Sequence, residues 1–193
     1  ALINKDKEVA KTVETLAKLF RITLDRNSNI VTIKDELEHV ETYLTIQNMR
    51  FNNRYHFVKN VPDELLKCSI IKLTLQPLVE NSIKHGFSQT FDDEMIEIQI
   101  ESSGHDLIIQ VRDNGIGIDE NNIRRIYDKL EHLDTLENNT LHNSIGIVNI
   151  SDRIRLEYGS TYYLRIFPNS PRGTVVELRI PKNYNLEMIP EID

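Results

Sequence analysis

Residues 95–117, MIEIQIESSGHDLIIQVRDNGIG, decide the class of fold. Ile96, Ile98 and Ile100 alternate with Glu97, Gln99 and Glu101. After the Ser103-Gly104-His105-Asp106 turn, Leu107, Ile109 and Val111 alternate in the same way. A period of two with one apolar and one polar face is the pattern of a half-buried strand, and the short turn makes the pair an antiparallel hairpin. A second hairpin comes much later. It reads Tyr162, Leu164 and Ile166, a turn from Pro168 through Pro171 to Gly173, then Thr174, Val176, Leu178 and Ile180 before Pro181 ends it. Helical spacing fills residues 74–85, 119–130 and 146–158. Helices grouped with antiparallel strands, not alternating strictly with them, predict an α+β sandwich.

Upstream of residue 60 the pattern is helical. Val9, Val13, Leu16, Phe20 and Leu24 recur at four-three-four spacing, with Lys11, Glu14, Lys18 and Arg21 on the other faces. Asp25 to Asn29 is a turn signal. Thr32-Ile-Lys-Asp35 then reads as a capping box opening a second helix, whose stripe of Ile33, Leu37, Val40 and Leu44 runs on to about Phe51. Two such stripes with little chain around them predict a helical hairpin or bundle edge completed by a second copy of the chain. Pro62 interrupts this pattern, so residues 1–60 read as a helical dimerising and linking segment and residues 61–193 as a separate domain. The polar, asparagine-rich stretch 131–144 has no periodicity and reads as a mobile loop.

Composition narrows the function. The 193 residues are 39% hydrophobic and 27% charged, ordinary values for a chain that folds. A formal net charge of -7 and a pI of about 5.4 oppose broad contact with a phosphate backbone, which removes nucleic acid from the expected partners. The single cysteine, Cys68, has no internal disulfide partner and no Cys/His ligand spacing occurs, which fits a reducing, cytoplasmic setting. No apolar run approaches the roughly 20 residues that span a bilayer, so this segment is expected to be soluble. The chain opens at Ala1 without a methionine and directly in helical pattern, as expected of a piece of a longer protein.

Three segments carry candidate chemistry. Asp113-Asn-Gly115-Ile-Gly117 follows directly on a strand. A carboxylate at a strand end can accept a hydrogen bond from an exocyclic amine such as that of adenine, and glycines two apart let backbone approach a flat ligand. Taken alone, the same residues make a tight turn equally well. The missing third glycine and the lack of a βαβ unit argue against a dinucleotide fingerprint. The second segment is Leu75-Gln-Pro-Leu-Val-Glu80-Asn81-Ser-Ile-Lys84-His85-Gly86. On a helix its Asn81, Lys84 and His85, at i, i+3 and i+4, gather an amide oxygen, an ammonium and an imidazole suited to Mg²⁺ and phosphate oxygens. A solvated polar face explains any one of the three taken singly. The third segment, Ser144-Ile-Gly146-Ile-Val-Asn149, turns into a helix whose free N–H groups suit a polyphosphate, and it is also an ordinary helix start. The stretch 131–144 would then form a lid.

In this order the three segments resemble the N, G1 and G2 boxes of the GHKL ATPase superfamily. QPLVENSIKHG, DNGIGI and GIVNISDRI are most similar to those of LytS/YesM-type sensor histidine kinases, and Tyr43, Gln47, Arg50 and Phe51 resemble the linker of that group. The resemblance covers nearly the whole chain. It implies a Bergerat-type α/β sandwich of a mixed, mainly antiparallel sheet with helices, preceded by a helical dimerisation segment. It also implies ATP and Mg²⁺ as cofactors, with the γ-phosphoryl group passed to a histidine. By the same resemblance Asn81 is the Mg²⁺ ligand, Asp113 the adenine acceptor, Gly115 and Gly117 the G1 glycines, and Lys84 and His85 phosphate neighbours. Gly146 is a lid hinge, Thr174 of the Gly173-Thr174 pair supports the aspartate, and Glu80 polarises the attacking group.

Two departures stand out. Ser144 occupies the place of the family's first G2 glycine, which would stiffen the lid, and the family's His-Phe-Leu-Tyr-Asn-like phosphoacceptor box does not occur in the chain. The resemblance puts that box upstream of Ala1. His39 lies near the apolar Val40 seam and is read as a structural or surface histidine, on the wrong helix to be the acceptor. The resemblance further implies a homodimer, a response regulator as partner, and a place as the cytoplasmic portion of a membrane-anchored protein. An anti-sigma-type serine kinase and a non-catalytic ATP-sensing module share the nucleotide signature. The two-helix segment ahead of it speaks against the former.

Overall fold

The computed structural model describes residues 29–87, 93–131 and 145–183, together with Val13–Thr15, Ala17 and Phe20, which are helical. Most of the expected first helix, nearly all of the stretch read as a lid, and Ser144 lie outside the described residues.

The short strand β1 (Ile30–Thr32) leads into α1 (Ile33–Arg50), and the capping box forms as the sequence predicts. The Asp35 N–H donates to Thr32 Oγ1 at 3.1 Å, and the Thr32 N–H donates to Asp35 Oδ2 at 3.0 Å. The α1 stripe of Ile33, Leu37, Val40 and Leu44 is buried inside this one chain. It packs against α2 (Leu75–Asn81), β1 and the 3₁₀ turn Asp63–Lys67. That corrects the expectation that a second copy is needed to cover this stripe. Its cover comes from short elements remote in sequence, none long enough to show a periodic face of its own.

The main sheet has five strands in the order β2 (Tyr55–Asn60), β4 (Glu94–Ser103), β5 (Asp106–Asp113), β7 (Thr174–Pro181) and β6 (Tyr163–Pro168). β2 runs parallel to β4, and the other pairs are antiparallel. The sheet is therefore mixed and mainly antiparallel. A separate pair joins β1 to β3 (Ser69–Ile71). Because Tyr55–Asn60 belongs to the five-stranded sheet, the packed unit reaches upstream of the change in pattern at residue 60.

Ile98 faces Val111 and Ile100 faces Ile109 across the central pair. With Leu178, Ile180, Leu164 and Ile166 they build one core shared with α1, α2 and α4 (Ile145–Tyr158). A one-residue slip would turn these isoleucines to water, at a cost of about 1.5–3 kcal/mol for each side chain, so the alternation itself sets the register. The other face of the sheet is wet and laced by polar pairs, such as Gln110 Nε2 donating to Glu177 Oε2 at 2.7 Å. α3 (Glu120–Glu131) is pinned to the edge strand through Tyr127, whose Oη donates to Ile166 O at 3.1 Å and accepts from Ile166 N at 3.0 Å. This register leaves Asp113 at the last pair of β5, opposite Ile96 and against the α2 side of the sheet.

Candidate functional site

Asp113 is the centre of the site, and it is only 5% exposed. Its Oδ1 accepts the N–H of Gly115 at 3.0 Å and of Thr174 at 3.1 Å, and its Oδ2 accepts the Ser82 hydroxyl at 3.1 Å. One carboxylate thus ties together the turn after β5, the start of β7 and the segment after α2. A carboxylate offers about four acceptor positions, so one remains for a donor arriving in the cavity. Burial pushes the Asp113 carboxyl above its ordinary value, while the three hydrogen bonds pull it back. The compensation comes from neutral dipoles, and the remaining acceptor position stays open to a donor such as an exocyclic amine.

Close backbone approach holds the turn in place. A Cβ on Gly115 would lie 2.1 Å from Gly86 O, and one on Gly173 would lie 1.9 Å from Asp113 O, so neither position admits a side chain. The Ile116 N–H donates to Gly86 O at 2.7 Å, and Asn169 Nδ2 donates to Asp113 O at 2.8 Å.

The expected helix over 74–85 is α-helical only to Asn81. It continues as a wide π-type turn, Ser82–Gly86, with the Phe87 N–H donating to Ser82 O at 3.1 Å. Such wide turns hold more residues per revolution and recur at functional sites. The residue at i+4 then stays above Asn81 while the one at i+3 falls short of it. His85 accordingly lines the cavity with Asn81, whereas Lys84 is outside the lining and pairs with Glu80 at 3.4 Å.

The cavity holds about 360 Å³. Asn81, Ser82, His85, Asp113, Gly117, Asp119 and Thr174 supply its polar lining, and Leu78, Ile126, Ile147 and Val176 its apolar walls. Among the described residues Arg125 is the permanent cation of that lining. The sequence reading missed Arg125. The available signal was its position with Asn122 on one face of the helix that follows the glycine turn. Ser82 was missed too, because nothing in a helical pattern marks a serine as the partner of an aspartate 31 residues on. Thr174 reaches Asp113 through its backbone N–H. His39 is 1% exposed, inside the core, and burial together with the Lys72 charge holds its imidazole below the usual range.

Asn81 supplies the test for a metal. Its amide faces Gly146, whose Cβ position would lie 3.7 Å from Nδ2 and 3.8 Å from Oδ1, and Nδ2 is buried with no hydrogen-bond partner among the described residues. A buried amide nitrogen left so costs about 1–3 kcal/mol, which marks a place where a ligand oxygen belongs. The same amide offers an oxygen hard enough for Mg²⁺. Among the described residues no group of three His, Cys, Asp or Glu side chains stands together to hold a metal. Mg²⁺ in nucleotide sites takes few protein ligands and draws the rest from phosphates and water. The residues present therefore fit a metal that arrives with a nucleotide.

A mixed sheet covered on one face by helices, with a buried strand-end aspartate at a cavity, is the arrangement that the resemblance of the three motifs implied for a nucleotide-binding sandwich. Residues 69–184 match the family model described as histidine kinase-, DNA gyrase B-, and HSP90-like ATPase, and the chain belongs to that family. Residues 1–55 match the histidine kinase model. The chain is similar to the sensor histidine kinase YesM of Bacillus subtilis, at 36% identity over 94% of this chain and 29% of that protein. It is similar also to the sensor histidine kinase BtsS of Escherichia coli, at 32% identity over 94% of this chain and 29% of that protein. The chain thus spans about a third or less of the length of these relatives. In fold it is similar to the catalytic domain of histidine kinase ThkA, with a TM-score of 0.58 and 19% identity over 82% of this chain and 97% of that one. It resembles likewise the ATP-binding domain of PrrB from Mycobacterium tuberculosis, with a TM-score of 0.54 and 18% identity over 79% of this chain and 96% of that one.

Proposed function

We propose that this chain is the ATP-binding catalytic region of a sensor histidine kinase, that Mg-ATP occupies the cavity at Asp113, and that the γ-phosphoryl group passes to a histidine on a helix of the dimer other than α1. The observation that carries the reading is the Asp113 carboxylate, fixed by three donors and left with one acceptor position toward an apolar-walled cavity. The exocyclic amine of adenine donates to that position, and Leu78, Ile126 and Val176 cover the ring. The phosphates run toward Asn81, His85 and Arg125. With Mg-ATP bound, Asn81 Oδ1 would hold the metal and Nδ2 would donate to a phosphate oxygen. Mg²⁺, when bound, neutralises charge on the transferring phosphate. Glu80, half-buried and one residue before Asn81, accepts a hydrogen bond from the attacking imidazole and so keeps its other nitrogen free as the nucleophile. Lys84 supplies charge at the outer rim once it leaves Glu80. Gly146 is a hinge at the start of α4, and Gly115 and Gly117 let the backbone approach the adenine.

For the whole protein we propose a homodimer, with its dimerising and linking contacts in residues 1–60 and its nucleotide pocket built from residues 61–193, onto which α1 and β2 of the first segment pack. The phosphoryl group is relayed to a response regulator, and the kinase region forms the cytoplasmic portion of a membrane-anchored protein. The names of the relatives support that extension. Among the described residues no helix is long and apolar enough to cross a membrane.

The test supplies the chain with γ-labelled ATP and the histidine-bearing segment of the same kinase. Acid-labile, alkali-stable label on that segment is the expected result. Acid-stable label on serine would make the chain a serine kinase of the anti-sigma type, and tight ATP binding with no transfer would make it a sensing module.

A further inference from the structure

Glu36 of α1 is 1% exposed, yet it lies outside the cavity. Its Oε1 accepts the N–H of Leu73 at 2.6 Å, and its Oε2 accepts those of Thr74 and Leu75 at 2.9 and 2.8 Å. These are donors at the start of α2 that a helix by itself leaves unsatisfied. Leu73 takes a φ of +58°, a left-handed conformation that an L side chain resists, and that turn aims all three N–H groups at one carboxylate.

The same turn is gripped from the other side. Arg153 of α4 donates from Nη1 to Leu73 O at 3.2 Å and from Nη2 to Lys72 O at 2.5 Å. The joint at residues 72–75 is therefore held by α1 and by α4, the helix that carries Gly146. Burial pushes the Glu36 carboxyl up against the pull of the three N–H groups and Arg153. Without this carboxylate the three N–H groups would lose their acceptor, so Glu36 is what holds the start of α2 in one place. α2 is a stiff rod of 7 residues, about 10 Å at 1.5 Å per residue, so a shift at Leu75 is carried to Asn81. Farther along α1, Tyr43 runs beside the other end of α2, where burial and the Glu80 charge push its phenol up.

We infer that Glu36 is a positioning residue for the nucleotide site: from α1 it fixes the start of α2 and thereby the place where Asn81 meets metal and phosphate. The inference rests on the reading of Asn81 proposed above. It makes α1 the element through which a displacement arriving from upstream reaches the phosphates, with nucleotide binding acting back on α1 by the same linkage.

Glu36→Gln keeps the shape but places an amide nitrogen where backbone N–H groups already donate. ATP affinity is measured on the whole chain, below its melting temperature, with Mg²⁺ and with EDTA, beside an Asn81→Ala control. Glu36→Gln should lower the metal-free affinity only severalfold, as one neutral hydrogen bond from Asn81 Nδ2 weakens, while the gain on adding Mg²⁺ falls by roughly a further ten- to a hundredfold, as for a ligand displaced by a fraction of an ångström to an ångström. An intact gain with only a lower melting temperature, or equal losses with and without Mg²⁺, would make Glu36 a structural cap and overturn the inference. If Asn81→Ala itself keeps the full gain, the Asn81 assignment falls and the route through it falls too. Should Glu36→Gln prove too unstable, hydrogen exchange on the unsubstituted chain decides. Mg-ATP must slow the Leu73, Thr74 and Leu75 amides more than metal-free ATP does, and equal slowing overturns the inference.

Discussion

Replacing Asp113 by asparagine separates affinity from stability. The new side chain can keep its amide oxygen on the Gly115 and Thr174 N–H groups, the two donors that meet at Oδ1. Its amide nitrogen then takes the place of Oδ2, where the Ser82 hydroxyl can turn and accept from it. The local network survives, but the position facing the cavity changes from acceptor to donor and meets the adenine amine donor to donor. The loss is one hydrogen bond to a charged acceptor, about 1.5–3 kcal/mol, which is roughly ten- to a hundredfold in affinity. Folding stability should hold or rise, because the buried charge, whose pKa burial raises, is gone. Calorimetric titration with ATP and a thermal melt read the two quantities side by side. Equal ATP affinity in both proteins, whatever the melt shows, would refute the assignment of Asp113 to adenine.

Adenosine, which has no phosphate to titrate, should bind Asp113 more weakly as pH falls, with the loss setting in above the ordinary aspartate value of 3.8. Stability moves the other way: the folded state holds this proton more tightly than the unfolded chain, so folding gains between the raised value and 3.8 as pH is lowered. An NMR titration that keeps full adenosine affinity into the ordinary aspartate range would contradict this. Arg125→Ala should weaken ATP but not adenosine. The side chain is exposed, so the loss is held to about 1 kcal/mol, roughly fivefold, and equal losses for both ligands would place Arg125 away from the phosphates. Gly115→Ala must force a Cβ against Gly86 O, which would stand 2.1 Å away. A loss of about 1–3 kcal/mol in a denaturant melt, together with weakened ATP binding, is expected, and an unperturbed melt would show that the turn has room.

The hairpins were legible because each buries one face, so aliphatic residues recur at every second position within each strand, at 96, 98 and 100, at 107, 109 and 111, at 164 and 166, and at 176, 178 and 180. The capping box at Thr32 was legible for the same kind of reason, being a local pair three residues apart. β2 was not, since it is an edge strand with only Tyr55 buried and shows almost no alternation. β1 and β3 are three residues each and have no period to read. The α1 stripe was legible as a stripe, but its cover was not, because α2 and the turn at residues 63–67 come against it only through long-range packing. In the site, Asp113, Asn81 and the glycines lie in short motifs. Ser82, Arg125 and Glu36 act through partners 31 or more residues away or through a helix face, which no local pattern encodes.

The most direct test of the account is a map of backbone amide shifts on adding Mg-ATP to the chain. The account predicts the largest changes at Gly115, Gly117 and Thr174 around the adenine acceptor and at Asn81 and His85 around the phosphates, with adenosine moving only the first group. Binding that leaves Gly115 and Thr174 unmoved, or shifts clustered on the wet face of the sheet around Gln110 and Glu177, would contradict it.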